Sequence, residues 1–390
     1  MMSADAASAP PFRILMLSHY FAEHGGGVEI VAGALALGLA SQNIDIVWPA
    51  TGDSGRSENS GLRRLPLSAW NRTERSIGVP YPILFPSAWR QIFAAAAQAD
   101  AVIAHDALYL SSVAGFVAAR LRRKPFIIIQ HVGLVPYRNP LLRGLMAVAN
   151  LLIAEPILVR ADQAVFISES TLQYFERLRW RRPPLVLFNG VDTTLFAPAA
   201  DAADVLRART TFDLPGTGPI ALFVGRFVEK KGLPVLERMA RANPDIIFAC
   251  AGWGPLDPAG WRLPNVRIFS SPSRERIAEL YRACDVLILP SVGEGFPLVI
   301  QEALAAGLPV VCGAETARAD VAAARFPTGV AFDMGDPESA AEAFSAALRR
   351  TIATPRNAPE RAAFAHERYN WPAIAARYAQ LARELAEMGC

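Results

Sequence analysis

Pro290-Ser291-Val292-Gly293-Glu294-Gly295-Phe296-Pro297-Leu298-Val299-Ile300-Gln301-Glu302-Ala303-Leu304-Ala305-Ala306-Gly307-Leu308-Pro309-Val310 decides the fold. The uniformly apolar Val286–Leu289 before it predicts a buried strand. Glycines at 293 and 295 predict a loop, and Pro297 suits the first position of a helix expected over Leu298–Ala306. Gly307 closes that helix, and Val310–Cys312 predicts the next strand. Strand, loop, helix and strand in this order make the repeating unit of a parallel α/β sheet. The loop then carries Glu294 to the C-terminal end of a strand, where open α/β sheets bind ligands. Glu302 falls about a turn and a half into the helix. Two carboxylates so placed can hold different parts of one polar ligand, while N–H groups at the helix start meet its phosphates. A pair of capping or surface glutamates would leave the glycines unexplained.

Outward from this stretch the same alternation continues. Strands are predicted at Ile220–Val224, Ile246–Cys250 and Val266–Phe269, with helices at Leu233–Ala242, Arg274–Ala283 and Pro337–Thr351. The first half repeats the theme, with strands at Arg13–Ser18, Ile44–Trp48, Ala101–Ala104, Phe126–Gln130 and Ala164–Ile167 and helices such as Val28–Ala40 and Leu110–Arg122. A polar, Ala/Asp-rich segment, Ala197–Ala208, marks the boundary between them. Two doubly wound domains are expected, 1–195 and 196–365, facing a central cleft. A terminal helix within 366–390, with Trp371, Ile374, Tyr378 and Leu381 on one stripe, should pack back on the first domain; its periodicity reaches back to Ala362.

The chain has 390 residues, of which 52% are hydrophobic and 19% charged, enough apolar content for large cores and too much for a disordered chain. Its formal charge of +3 argues against nucleic acid as a partner. That charge is unevenly spread: residues 1–185 carry 18 basic and 13 acidic side chains, and much of the excess lies in Arg120/Arg122/Arg123/Lys124 and Arg177/Arg179/Arg181/Arg182. Such runs suit a solvated face, an anionic substrate or an anionic membrane surface. The segment Pro66–Trp89 sets Trp70, Tyr81, Phe85 and Trp89 near Arg63, Arg64, Arg72, Arg75 and Arg90, the composition of a loop covering the sheet or of a lipid-facing one. The longest apolar stretch, Leu141–Val159, is interrupted by Arg143, Asn150, Glu155 and Pro156 and does not read as a membrane span. The N-terminus lacks the pattern of a secretory leader. Cys250, Cys284, Cys312 and Cys390 have no metal or disulfide spacing. These features together predict a cytoplasmic chain, either soluble or peripheral at the inner face of the membrane.

Two further constellations bear on chemistry. Gly25-Gly26-Gly27-Val28-Glu29 opens the first helix, where glycines allow backbone N–H groups to approach an anion. Val224-Gly225-Arg226-Phe227, followed by Lys230-Lys231-Gly232, places an arginine fork and a lysine point charge after a strand, which suits a diphosphate. The chain has only three lysines, Lys124, Lys230 and Lys231, so a Lys-Lys pair here is a pointed choice. A loop cation packs against little, so Lys231→Ala should cost turnover more than stability.

In order along nearly the whole chain, these motifs resemble the retaining glycosyltransferases of family 4, with the GT-B fold. The resemblance rests on the glycine loop with Glu29, His105-Asp106, His131, Asn189-Gly190-Val191-Asp192, Gly225-Arg226 with Lys231-Gly232, and above all Glu294 and Glu302 in E-x7-E spacing. It implies a sugar moved from a nucleoside-diphosphate sugar to a hydroxyl of a glycan or lipid-linked acceptor. Arg226 and Lys231 would hold the diphosphate, Glu294 the hydroxyls of the transferred sugar, and Glu302 the ribose. Backbone at Gly295, Phe296 and Leu298, with Gly26 and Gly27 across the cleft, would meet the phosphates. His131 would contact the donor sugar. His19, His24, His105 and Asp106 are candidates for the acceptor side. Fixed cations and helix N-termini can stabilise the leaving diphosphate, so neither a metal nor a cofactor is expected, the nucleotide sugar being a co-substrate. The segment Phe269-Ser270-Ser271 lacks the family's usual glycine after the aromatic residue, which leaves the base unassigned. A nucleotide-sugar epimerase, a phosphorylase and a non-catalytic nucleotide-sugar binder share the cleft. An epimerase would turn over without an acceptor, a phosphorylase would need a cofactor lysine, and a binder would neither transfer nor hydrolyse.

Overall fold

The computed structural model describes residues 11–52, 61–71, 81–133, 140–354 and 357–389. The N-terminal residues read for a leader, Arg72 and Arg75 of the aromatic segment, and Cys390 lie outside them.

The first domain is built on seven parallel strands: β1 (Arg13–Leu17), β2 (Asp45–Ala50), β3 (Leu62–Pro66), β6 (Ala101–His105), β7 (Phe126–Gln130), β8 (Gln163–Phe166) and β9 (Leu185–Val186). Their spatial order is β3-β2-β1-β6-β7-β8-β9. Between β3 and β6 a two-stranded antiparallel hairpin pairs β4 (Ala69–Trp70) with β5 (Ile83–Leu84). The second domain has six parallel strands, β10 (Ile220–Arg226), β11 (Ile247–Trp253), β12 (Val266–Ser270), β13 (Val286–Leu289), β14 (Val310–Gly313) and β15 (Pro327–Val330), in the order β12-β11-β10-β13-β14-β15. In both sheets the order reverses beside the first strand, between β1 and β6 and between β10 and β13. A crevice opens at the carboxyl ends of the strands at such switch points. The α/β expectation of two doubly wound domains matches this architecture.

Successive side chains of β1 go to opposite faces: Ile14 and Met16 join one core cluster, Leu15 and Leu17 another. The central strands read as continuous apolar runs because both faces are covered; all of Phe126–Gln130 and all of Val286–Leu289 are buried. One face of the first sheet is covered by the Gly27–Ala40 helix and the chain's last helix, Trp371–Met388, whose Ile374, Tyr378, Leu381 and Leu385 share a core with Ile14 and Trp48. Leu187 packs on that core, whereas Phe188, Val191 and Phe196 belong to the core of the second domain.

The helical pattern read from Ala362 onward is not one helix. It divides into Ala358–Arg368 and Trp371–Met388. Asn370 caps the second helix by accepting from the Ala373 N–H, and Pro372 cannot donate a bond back into a preceding turn. Pro297 is likewise just outside its helix, which begins at Leu298, with an extended ψ of 134° at the proline. Asn189-Gly190-Val191-Asp192 forms the joint where the chain passes between domains. The Asn189 carbonyl accepts from Gln301 Nε2, the Val191 N–H donates to the Tyr369 carbonyl, and Trp371 lies against Gly190.

Part of the aromatic segment does cover the sheet: Trp89, on the Pro86–Ala97 helix, packs on the core while Trp70 and Phe85 stay exposed. Among the described residues no helix is long and apolar enough to cross a membrane.

Candidate active site

The loop after β10 and the loop after β13 meet at the second domain's switch point. β10 ends at Arg226, and a short 3-10 turn, Glu229–Lys231, follows. The Val292 N–H donates to the Lys230 carbonyl at 3.0 Å, tying one loop to the other. Gly232 sits at φ 77° with its α-carbon so close to Pro290 that a β-carbon would lie 2.1 Å from that carbonyl oxygen. Only glycine fits both demands. This contact holds Lys231 over the second loop, where its Nζ lies 2.8 Å from Glu294 Oε1. Both side chains are largely buried. Burial raises the Glu294 carboxyl, but the Lys231 and Lys230 charges outweigh it and hold it below the usual carboxylate range. Lys231 is therefore no isolated loop cation: it neutralises a buried carboxylate, and its removal costs stability, contrary to what a loop cation packed against little would show. Arg226 pairs in register with Trp253 on β11, and its guanidinium carbon lies 4.7 Å from the centre of that ring.

Phe296 turns its ring into the core against Phe188 and Tyr369, leaving its backbone at the start of the Leu298–Ala305 helix. Glu302, in the second turn of that helix, accepts from the Tyr281 hydroxyl at 3.2 Å. Burial raises its carboxyl, partly offset by Arg274.

In the first domain four of the chain's five histidines gather at the ends of β1, β6 and β7. His105 Nδ1 and His131 Nε2 lie 2.9 Å apart, one donating and the other accepting. Burial pushes both imidazoles down, His131 to about 3, so both are neutral. Asp106, in the left-handed region at φ 57°, turns its carboxylate onto the His131 N–H at 2.9 Å. Asp106 therefore clamps the loop after β7; its carboxyl is raised to about 7 by burial, against the backbone bonds that it accepts from His131 and Val132. His19 Nε2 and His24 Nδ1 each lie 3.1 Å from Glu29 Oε1. His19 stacks flat on Tyr109 with ring centres 3.6 Å apart, and His24 on Tyr20 at 4.1 Å. A β-carbon at Gly26 would lie 2.2 Å from Glu29 Oε2, so that residue type is explained by the carboxylate packed against it; a β-carbon at Gly27 meets nothing within 4 Å.

The two sets face each other across a closed cleft. Gly295 lies against the His131 carbonyl, and Ser170 Oγ donates to the Gly295 carbonyl at 3.1 Å. The structure thus brings Arg226, Lys231, Glu294, Gly295 and His131 together. It places His24 between Glu29 and the Tyr20 ring and ties up Asp106 at the His131 N–H.

Sequence reasoning gave no role to Glu29, Tyr109 or Ser291. Glu29 alone had a signal, an acid in the first helical turn after the glycines. His19 Nδ1, His105 Nε2 and Ser291 Oγ are buried and bond to no other protein atom among the described residues. Among the described residues no group of three His, Cys, Asp or Glu side chains is placed to hold a metal ion.

Two family models match this chain: Glycosyltransferase Family 4 over residues 25–195 and Glycosyl transferases group 1 over residues 206–366. A relative from Mycolicibacterium gilvum, a D-inositol 3-phosphate glycosyltransferase, is 29% identical over 54% of this chain and 51% of its own length. Another of that description, from Mycolicibacterium smegmatis, is 36% identical over 33% and 32%. The matched stretch thus spans about half, or less, of these curated relatives. Sucrose-phosphate synthase from Thermosynechococcus elongatus shares the fold with a TM-score of 0.72 at 21% identity, over 96% of this chain and 99% of that one. Anabaena HepE in complex with UDP-glucose does so with a TM-score of 0.72 at 18% identity, over 95% and 99%.

Proposed function

The chain belongs to the family 4, group 1 glycosyltransferases, and from that premise we propose that it moves a sugar, with retention of anomeric configuration, from a nucleoside-diphosphate sugar to a hydroxyl of a glycan or lipid-linked acceptor. The Lys231–Glu294 pair at the switch point carries this reading. A carboxylate holding a sugar hydroxyl and a cation holding the adjoining diphosphate must lie side by side, because the bond that breaks lies between those two groups.

The donor's anomeric carbon–oxygen bond breaks with its electron pair going to the diphosphate. Charge therefore grows on the phosphate oxygen next to Lys231 and Arg226, which need little rearrangement to meet it. Closure of the cleft at Gly295 excludes water and strengthens that attraction. The acceptor hydroxyl attacks from the face that the diphosphate leaves, and its proton passes to the departing phosphate oxygen. Neutral His131 can donate or accept at the sugar without adding charge. No step here calls on a metal, and chelation of divalent ions is expected to leave turnover unchanged.

A thermal-shift panel of UDP-, GDP-, ADP- and dTDP-sugars, run on wild type and Glu302→Ala, tests the donor site. One nucleotide class raising the midpoint in wild type alone supports the reading and identifies the base. Equal shifts in both proteins remove Glu302 from the site, and no shift with any of them removes the nucleotide-sugar donor.

A further inference from the structure

Residues 140–160 run as a continuous helical segment, Pro140–Ala149, then a π turn at Asn150–Ala154, then Glu155–Arg160. Its inner side packs on the first domain through Ala154, Ile157 and Leu158. Its outer side is apolar: Leu141 is 83% exposed, Leu145 64%, Val148 52%, Leu151 55% and Leu152 67%. Leu141, Leu145, Val148 and Leu152 recur at intervals of four, three and four residues, one stripe along the helix. Exposed large apolar residues are ordinary when scattered and informative when they form a line.

Basic side chains gather at the C-terminal end of the segment. Arg143 is exposed on the same helix but, two residues from both Leu141 and Leu145, on the face away from the stripe. Both arginine runs reach the far end of the segment: Arg120 donates to the Arg160 carbonyl and lies 3.4 Å from Asp162, Arg181 lies 3.7 Å from the same carboxylate, and Arg177 pairs with Glu155. These contacts use two acids, while Arg122, Arg123, Lys124, Arg179 and Arg182 add further positive charge in the same runs. An apolar stripe with excess positive charge at one end matches a bilayer surface with anionic headgroups, apolar groups entering the acyl boundary while arginines remain at the phosphates.

We propose that the 140–160 segment is a docking surface for an anionic lipid bilayer, which it enters parallel to the membrane plane. Leu141 follows His131 by ten residues, so the docked surface begins within about 35 Å of the cleft. The inference stands apart from the donor reading and survives its failure.

The experiment is flotation of the full chain with vesicles of phosphatidylcholine alone or with one third phosphatidylglycerol. Wild type is expected to float with anionic vesicles at low salt, to float weakly with neutral ones, and to lose binding as ionic strength rises. Leu145→Glu/Leu152→Glu should lower the partition coefficient at least tenfold with an unchanged melting midpoint, because both positions are exposed. Arg122→Ala/Arg179→Ala, both exposed, should weaken anionic binding and leave neutral binding alone. Failure of wild type to float with anionic vesicles overturns the proposal. So does a wild-type dimer in sedimentation that the leucine variant abolishes while its flotation persists.

Discussion

Gly295 touches the opposite domain, so substituting it tests whether the closed cleft is the reacting one. An alanine there would place its β-carbon 2.6 Å from the His131 carbonyl oxygen and 2.9 Å from Thr171 Oγ1. The hydroxyl has little freedom to move away, because Thr171 Oγ1 lies 2.8 Å from Ser168 Oγ. The carbonyl belongs to backbone that Asp106 holds at the His131 N–H. To bring that carbonyl contact to 3.0 Å, the domains must separate by about 0.4 Å. Overpacking of this size costs about 1–3 kcal/mol. Opening the cleft relieves it, so the penalty falls on the closed arrangement only. At about 1.4 kcal/mol per factor of ten, kcat/KM should fall about 5- to 150-fold, while the thermal midpoint moves little. Gly260→Ala, whose β-carbon meets nothing within 4 Å, is the control. Initial rates with the donor identified by thermal shift give the number. Wild-type kcat/KM in Gly295→Ala would mean that the contact is not made during reaction, and the closed cleft would lose its role.

Lys231→Ala should lower turnover by about 10²–10³-fold, as for a lost transition-state donor, and should also lower the melting midpoint because Glu294 is left buried and unpaired. Adding Glu294→Gln should restore the midpoint and leave turnover low; restored turnover would refute the assignment. Gly218→Ala and Gly232→Ala separate backbone strain from collision. Both glycines have positive φ, 89° and 77°, but only Gly232 faces a carbonyl oxygen at 2.1 Å, so about 1 kcal/mol is expected for the first and about 2–4 for the second, read as urea midpoints. Acid should destabilise the fold. His131, at about 3, and His105, also lowered, stay neutral in the native state where unfolded histidines of pKa 6.5 take up protons; Asp106, raised to about 7, offsets one of the two. Stability from the histidines is present above pH 6.5 and lost as pH falls, leaving one net proton and a loss of about 1.4 kcal/mol per pH unit down to about pH 5. A midpoint that rises between pH 6.5 and 5 would refute the neutral histidine pair.

The sheet interiors were legible because burial on both faces demands uniform apolar runs: Phe126–Gln130 and Val286–Leu289 have the same bounds in sequence and structure. Edges carry no such demand. Leu62–Pro66, which contains two arginines, and the two-residue Leu185–Val186 give no readable period, and Pro327–Val330 reads as a turn. In the site, residue types suited to a polar or anionic ligand could be read, Glu294, Arg226 and Lys231 among them. What they do to each other could not. The Lys231–Glu294 pair depends on the fit of Gly232 under Pro290, and the two histidines on Glu29 depend on how the loop after β1 folds over its helix. Ser271, two residues after Phe269, adopts φ 46° just past the end of its strand.

The last helix completes the core of the first domain and not of the second. During synthesis that core lacks Ile374 through Leu385 until about 200 further residues have followed Phe188, roughly 10–40 s at ribosomal speed. The second domain has all of its strands by Val330, and its buried core closes with Ala365 and Tyr369. Emergence from the ribosome therefore completes the second domain's core, which ends at Tyr369, just ahead of the first's, and meanwhile the nascent first domain waits with one apolar face exposed.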